Sequence, residues 1–208
     1  AEKIKREQNA HKSQPVFYTP MTIASWKRIA DILEKNDVVE KRGNVHYIID
    51  LSKLLDMIVA ETRWSELKDS ADYDVNKGIL ITSTDIRKSN SAAMYLALAT
   101  FILNDNKVIT REDEVFSLLE NLSSLFLRQG YVESSSAGPY NDYLVMGPGK
   151  SPMVMVYEAQ FLHDAALPDS VIQDHMVLLY PEPTVFTKHI LVPFNEVGES
   201  LSQVLTTD

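Results

Sequence analysis

Nine consecutive residues, Ser83-Thr-Asp-Ile-Arg-Lys-Ser-Asn-Ser91, concentrate hydroxyls, an amide, a carboxylate and two cations. They follow a short apolar run, Ile79-Leu-Ile-Thr82, that reads as a buried strand. They precede an apolar stretch that predicts a helix from about Ala92 to Leu103. A helix start leaves backbone N–H groups unpaired and carries partial positive charge. Ser83, Thr84, Ser89, Asn90 and Ser91 add neutral donors there, and Arg87 adds a planar fork suited to a carboxylate or oxyanion. Such chemistry binds an anion or polar solute without reacting with it. The same residues also fit a plainer role, with Ser89 or Ser91 capping the helix and Asp85 making a turn. A second hydroxyl cluster, Ser134-Ser135-Ser136 near Gly138, reads either as a flexible loop or as a further contact through Ser135. Tyr157-Glu158 falls where a strand passes into a helix, a common place for ligand contacts in open α/β sheets. Tyr180-Pro-Glu-Pro183 ends the next strand in a similar way.

Other chemistries fail on spacing. Gly147-Pro-Gly-Lys-Ser151 would need a glycine at position 144 to make a phosphate-binding loop, and Leu144 stands there. Pro152 also leads into a predicted strand rather than a helix. No nucleophile elbow or dinucleotide fingerprint occurs. His11, His46, His163, His175 and His189 show no close ligand spacing, so no metal and no cofactor are expected. The acids Asp69, Asp72, Asp74 and Glu112-Asp-Glu114 lie in polar stretches and read as solvated faces or helix N-terminal charge. No nucleophile–base–orienter set can be assembled, so the chain is not expected to be an enzyme. Asn121-Leu-Ser123 matches a glycosylation sequon but lies within a helix pattern.

The elements that would position these residues alternate. Residues 1–15 read as a polar tail, and Val16-Phe-Tyr-Thr-Pro20 as a short strand ended by proline. Ile23, Trp26, Ile29, Ala30 and Leu33 share helical spacing, which predicts a helix over Met21–Glu34 with Thr22 or Ser25 as cap. Lys41-Arg-Gly-Asn44 reads as a turn before an alternating stretch, His46-Tyr-Ile-Ile-Asp50. Asp50 sits where an N-cap belongs, ahead of Leu54, Leu55, Ile58 and Val59. A helix is predicted from Glu112 to Gln129, with Gly130 beyond it as a C-cap. Residues 133–152 read as a loop with one helical turn near Tyr143. Strands are expected at Met153–Tyr157, Met176–Tyr180 and Ile190–Val192, with a helix from Glu158 to about Ala166. This alternation predicts an α/β fold with a mixed, largely parallel sheet flanked by helices.

Composition sets the outer limits. The chain has 208 residues, 45% of them hydrophobic and 24% charged, which suits a globular core without disulfides. Net charge is −9 with no basic run, which argues against nucleic acid. No apolar run reaches the ~18–20 residues that span a bilayer. Ala1-Glu-Lys-Ile-Lys-Arg-Glu-Gln8 lacks the apolar middle of a signal peptide, so the chain is expected to be a mature or excised piece.

Five segments in order are similar to the bacterial type II periplasmic binding-protein family. They are Pro20-Met-Thr-Ile-Ala-Ser25, Ser83-Thr-Asp85 with Ser89-Asn-Ser-Ala-Ala-Met-Tyr95, Gly130-Tyr-Val-Glu-Ser-Ser-Ser136, Pro152-Met-Val-Met-Val-Tyr-Glu158 and Tyr180-Pro-Glu-Pro-Thr184. The molybdate- and phosphate-like branch, which includes members fused to von Willebrand factor A domains, is the nearest in pattern. The resemblance covers roughly residues 16–195. It implies a non-catalytic lobe, residues 16–208, of a two-lobed solute-binding protein, with hinge-like crossings near 16–24 and 180–194. It places Ser89, Asn90 and Ser91 at a ligand-contacting helix start, and Tyr157 and Glu158 at a cleft-facing strand end. The implied partners are a small polar or anionic solute, and a membrane transporter of the ABC type or a fused von Willebrand factor A domain. The implied location is periplasmic or extracellular, with anchoring through a preceding segment. Only fifteen residues precede the first crossing, so either an excised second lobe or a different arrangement of the rest of the protein is expected. Residues 35–78 read as an insertion, and that stretch with Trp64 supports an alternative: a scaffold domain that keeps the fold and docks a protein.

Overall fold

The computed structural model describes Lys3 and residues 12–73, 75–130 and 132–206. Most of the expected polar tail, together with His11, Asp74 and Tyr131, lies outside the described residues. The chain divides into two compact units. One comprises Ala1–Pro20 with Phe186–Asp208, and the other Met21–Val185. Both divisions fall within the segments read as crossings.

The smaller unit contains the first half of strand β1 (Gln14–Trp26), strand β6 (Phe186–Leu191) and the last helix, α7 (Glu196–Thr206). Gln14–Pro20 pairs antiparallel with β6, with a shift between Pro15 and Phe17. Phe17 stacks on His189 at 4.1 Å. Ser202 Oγ donates to Gln14 Oε1 at 2.7 Å.

In the larger unit β1 continues through Pro20 to Trp26, so the proline does not end the strand. Its inner half lies between β5 and β4 in a sheet ordered β2 (Val39–Arg42), β3 (Val45–Ile48), β5 (Met176–Pro181), β1, β4 (Met153–Tyr157). β1 is antiparallel to both β4 and β5, while β3 is parallel to β5. The sheet is therefore mixed. β3, β4 and β5 all point one way, but β1 inserts between β4 and β5, and β2 pairs antiparallel with β3, so of these ladders only β3–β5 is parallel and the sheet is mainly antiparallel rather than largely parallel as expected. Ile79–Thr82, expected as a strand, forms no named strand. It holds Ile79 and Ile81 in the core and is joined by isolated bridges, Gly78 to Arg63 and Thr82 parallel to Val154.

The expected helix over Met21–Glu34 is half right. Met21–Trp26 is an interior strand, and helix α1 occupies Lys27–Lys35. All six residues from Met21 to Trp26 are buried, so apolar groups on both faces of the strand imitate helical spacing. Thr22 and Ser25 do not cap a helix. Their hydroxyls donate across the sheet, Ser25 Oγ to Pro152 O at 2.8 Å and Thr22 Oγ1 to Val156 O at 3.4 Å. Trp26 Nε1 reaches Ser151 O at 2.9 Å, and its ring lies 4.7 Å from that of Tyr143.

Helix α2 (Leu51–Val59) is capped by Asp50, whose Oδ1 accepts from Lys53 N at 2.9 Å. The β2–β3 hairpin turns through Gly43-Asn44, with Gly43 at φ 63°, a value that suits glycine. Helices α3 (Asn90–Leu103) and α4 (Glu112–Leu127) match their predicted spans within two residues at each end. Residues 133–152 hold more than one helical turn. Helix α5 (Ala137–Met146) forms there because Tyr140 and Tyr143, one turn apart, both bury in the core. Helix α6 (Glu158–Ala165) follows β4 directly. Helices α3, α5 and α6 pack on β4, and α1 packs on β2 and β5.

The stretch 35–78 contributes to the core. Trp64 is 0% exposed and meets Tyr73 edge to face at 5.5 Å, so it offers no docking surface. Asn36 ties the segment down, donating to Ile32 O and Lys68 O and accepting from Lys68 N.

His46 of β3 is buried, and its Nε2 has no partner among the described residues. Burial pushes its pKa below 6.5, Lys41 adds to this, and Asp31 and Glu34 only partly offset it. The unfolded chain therefore takes up the proton first. Stability from the neutral ring is complete above pH 6.5 and declines as pH falls below it. Urea unfolding at pH 7.5 and 5.5 should show this loss, and H46L should reduce it. An equal loss in H46L would assign the pH dependence elsewhere.

Candidate functional site

The C-terminal ends of the co-directed strands lie along one edge of the sheet in the larger unit. Ser83–Ser89 follows Thr82, Tyr157 ends β4 with Glu158 next to it, and Tyr180 lies at the end of β5. In open α/β sheets this is the edge that carries ligands.

The turn is held mainly by its own side chains. Thr84 Oγ1 and Ser91 Oγ lie 2.9 Å apart, as do Ser89 Oγ and Ser91 Oγ, so three hydroxyls form one relay at the start of α3. Ser89 occupies the N-cap position but makes no side-chain cap bond, and its hydroxyl is directed to Ser91 instead. Thr84 and Ser91 are buried, while Asn90 is exposed. Asn90 Nδ2 donates to the Tyr157 hydroxyl at 2.9 Å, which joins the turn to the end of β4. The neighbouring carboxylate, Glu158 Oε1, accepts from the Tyr180 hydroxyl at 2.7 Å, which extends the row to β5. Burial, and then that bond to Glu158, push the Tyr180 phenol above its ordinary pKa, so it remains a donor at neutral pH. Tyr47 of β3 lies 5.9 Å from the Tyr180 ring.

Not every expected contact is available to a solute. Ser83 is buried, and both its N–H and its hydroxyl donate to Gln129 Oε1, at 2.7 and 3.1 Å. Arg87 does not present a free fork. Its Nε and Nη2 donate to the two oxygens of Asp85 at 2.9 and 2.8 Å, and its backbone N–H adds a third bond. The guanidinium is 79% exposed and the carboxylate 9%, so the pair seals the turn and leaves the outer face of the arginine in solvent. Ser135 is exposed, and its hydroxyl accepts from Ala137 N at 3.3 Å. Its loop reaches the turn through Glu133 O, which accepts from Asp85 N at 2.8 Å. Ser89, Asn90, Ser91, Tyr157 and Glu158 are thus brought together, Thr84 supports them from below, and Ser83, Arg87 and Ser135 are otherwise engaged or set apart.

Tyr180 and Gln129 were not among the expected site residues. Tyr180 stood in the strand-end motif Tyr180-Pro-Glu-Pro183 singled out from the sequence, without being assigned a contact. Gln129 carried no signal, because its role depends on where α4 ends.

Bonds from Arg87, first from its side chain and then from its backbone, hold the Asp85 carboxyl at about 2, below its ordinary 3.8. The fold therefore gains stability from the ionised carboxylate above pH ~4 and loses it as pH falls through about 2. D85N should flatten that loss in unfolding midpoints taken at pH 5, 3 and 2. The same acid slope in D85N would show that other carboxylates carry it.

Among the described residues, no group of three or more His, Cys, Asp or Glu could hold a metal ion. No helix among them is long and apolar enough to cross a membrane. A scan against protein-family models, a search of curated proteins and a search of solved structures each return no match for this chain.

Proposed function

We propose that this chain is a non-catalytic binding lobe for a small polar or anionic solute, of the type II periplasmic binding-protein kind. It would work outside the cytoplasm and serve an ABC-type membrane transporter or a fused von Willebrand factor A domain in transport or sensing. The observation that carries this reading is the joined row Thr84–Ser91–Ser89 and Asn90–Tyr157 at the start of α3. It supplies neutral donors beside unpaired helix N–H groups and contains no nucleophile paired with a base. An interior strand antiparallel to both neighbours, with divisions of the chain at both proposed crossings, supports such a lobe. Because Arg87 is held by Asp85, recognition rests on hydroxyl, amide and backbone donors rather than on a free cation.

Thermal unfolding in the presence of phosphate, molybdate, acetate and free amino acids tests the reading. A ligand at a hundredfold excess over Kd adds about 2.7 kcal/mol to stability. The expected result is a rise in Tm with at least one of these solutes, cut by tenfold or more in affinity in S89A/N90A. No rise with any of them would defeat the proposal.

One observation favours a second reading as a scaffold. Helices α3 and α4 enclose an apolar groove of about 410 Å³ lined by Ile86, Leu96, Ile109, Val115, Leu119 and Phe126. If solutes shift nothing while L119D abolishes retention of a protein partner, the scaffold reading replaces the first.

A further inference from the structure

We propose that a second cleft in the larger unit, apart from the row at α3, binds a small zwitterion bearing one ammonium and one carboxylate. The cleft has a volume of about 460 Å³ and lies between Lys77–Ser83, the end of α4, α5 and the turn before β4. That volume falls within the range of small-molecule sites, about 300–1,000 Å³.

Its walls carry two cations, Lys77 and Lys150, and two carboxylates, Glu133 and Asp142. Among the described residues none of the four forms an ion pair, although both signs line the same cleft. Lys77 Nζ is fixed in place by donating to Gly149 O at 2.9 Å. Ser151 also lines the cleft and is only 2% exposed. Its carbonyl accepts from Trp26 Nε1, but its hydroxyl has no partner among the described residues. A serine hydroxyl in a cleft wall can donate to a bound carboxylate. A solute of single charge would meet as many like charges as opposite ones. A zwitterion can set its carboxylate toward the lysines and its ammonium toward Asp142 and Glu133. Leu80, Val132 and Pro139 provide apolar contact for a side chain.

A phosphate ligand is disfavoured by the same turn. The N–H groups of Lys150 and Ser151 both donate to Gly147 O, at 3.2 and 3.1 Å, and are not turned outward as a cradle.

The test is titration of the ¹⁵N-labelled chain with L-leucine and with L-alanyl-L-alanine, beside N-acetyl-L-alanyl-L-alanine and L-alanyl-L-alanine amide. At least one zwitterion should give saturable shifts at Leu80, Gly149 and Ser151. Both capped peptides should bind at least tenfold more weakly. K150Q and D142N should each weaken binding tenfold or more while thermal unfolding stays unchanged. Tighter binding of the dipeptide points to peptides, and of leucine to free amino acids. The proposal is overturned if neither zwitterion saturates, if capping costs nothing, or if K150Q and D142N bind as before. Shifts confined to Ser89 and Asn90 would also overturn it, and would assign the ligand to the first site instead.

Discussion

Trp26→Ala is expected to lower the unfolding free energy by about 3–5 kcal/mol, the usual cost of removing a large buried aromatic side chain. Trp26 closes the end of β1. It packs on Tyr143 at 4.7 Å and His175 at 5.4 Å, and its indole N–H donates to Ser151 O. Alanine would open a cavity at the junction of β1, α5 and the turn before β4, and would leave a buried carbonyl without its donor. Single domains have only about 5–15 kcal/mol in total, so this variant should be close to unfolding. Trp26→Phe keeps a ring in place and loses mainly the hydrogen bond, at about 1–3 kcal/mol. Urea unfolding separates the two, with midpoints falling in the order wild type, W26F, W26A and with m unchanged. A midpoint in W26A within error of wild type would remove Trp26 from the core.

The second large effect is expected at Gly147, which ends α5 with φ 74° and ψ −176°. That conformation is essentially confined to glycine, and forcing another residue into it costs about 1–3 kcal/mol. Gly147→Ala should therefore lower Tm, by about 2–4 °C for each kcal/mol in a chain of this size. Gly149→Ala, two residues on, is the control. An added Cβ there meets nothing within 4 Å and its φ is ordinary, so the change should stay within about 0.5 kcal/mol. The turn also presents Ser151 O to Trp26. G147A and W26F should therefore combine to less than the sum of their separate effects. Equal losses in G147A and G149A would show that strain at Gly147 is not the cause.

The two long helices and the Asp50 cap were legible because each depends on local rules. Apolar periodicity placed α3 and α4, and one carboxylate before a helix start placed the cap. Met21–Trp26 was misread because its burial on both faces is a property of the finished sheet, and six apolar or small residues in a row carry no period of two. Helix α5 was hidden by Gly138, Pro139, Asn141 and Asp142, residues that favour turns. Its stability comes from Tyr143, whose hydroxyl donates to Ser25 O at 2.6 Å, far along the chain. In the proposed site, hydroxyl-rich composition singled out Ser89, Asn90 and Ser91 as candidates, whereas the engagement of Ser83 with Gln129 and of Arg87 with Asp85 required coordinates. Arg87 is instructive because its charge suggested a ligand contact, while its nearest acid was only two residues away.

The position of β1 bears on how the chain is made. Met21–Trp26, an interior strand of the sheet, emerges from the ribosome well before its partners β4 and β5, and the bond from Ser25 to Pro152 closes a loop of 127 residues. Until then the apolar segment Met21–Trp26 has no strand on either side. Non-local pairing of this kind is slow to form and leaves a nascent chain open to aggregation. Production of this protein should therefore depend on chaperone capacity and translation rate more steeply than its equilibrium stability alone would suggest.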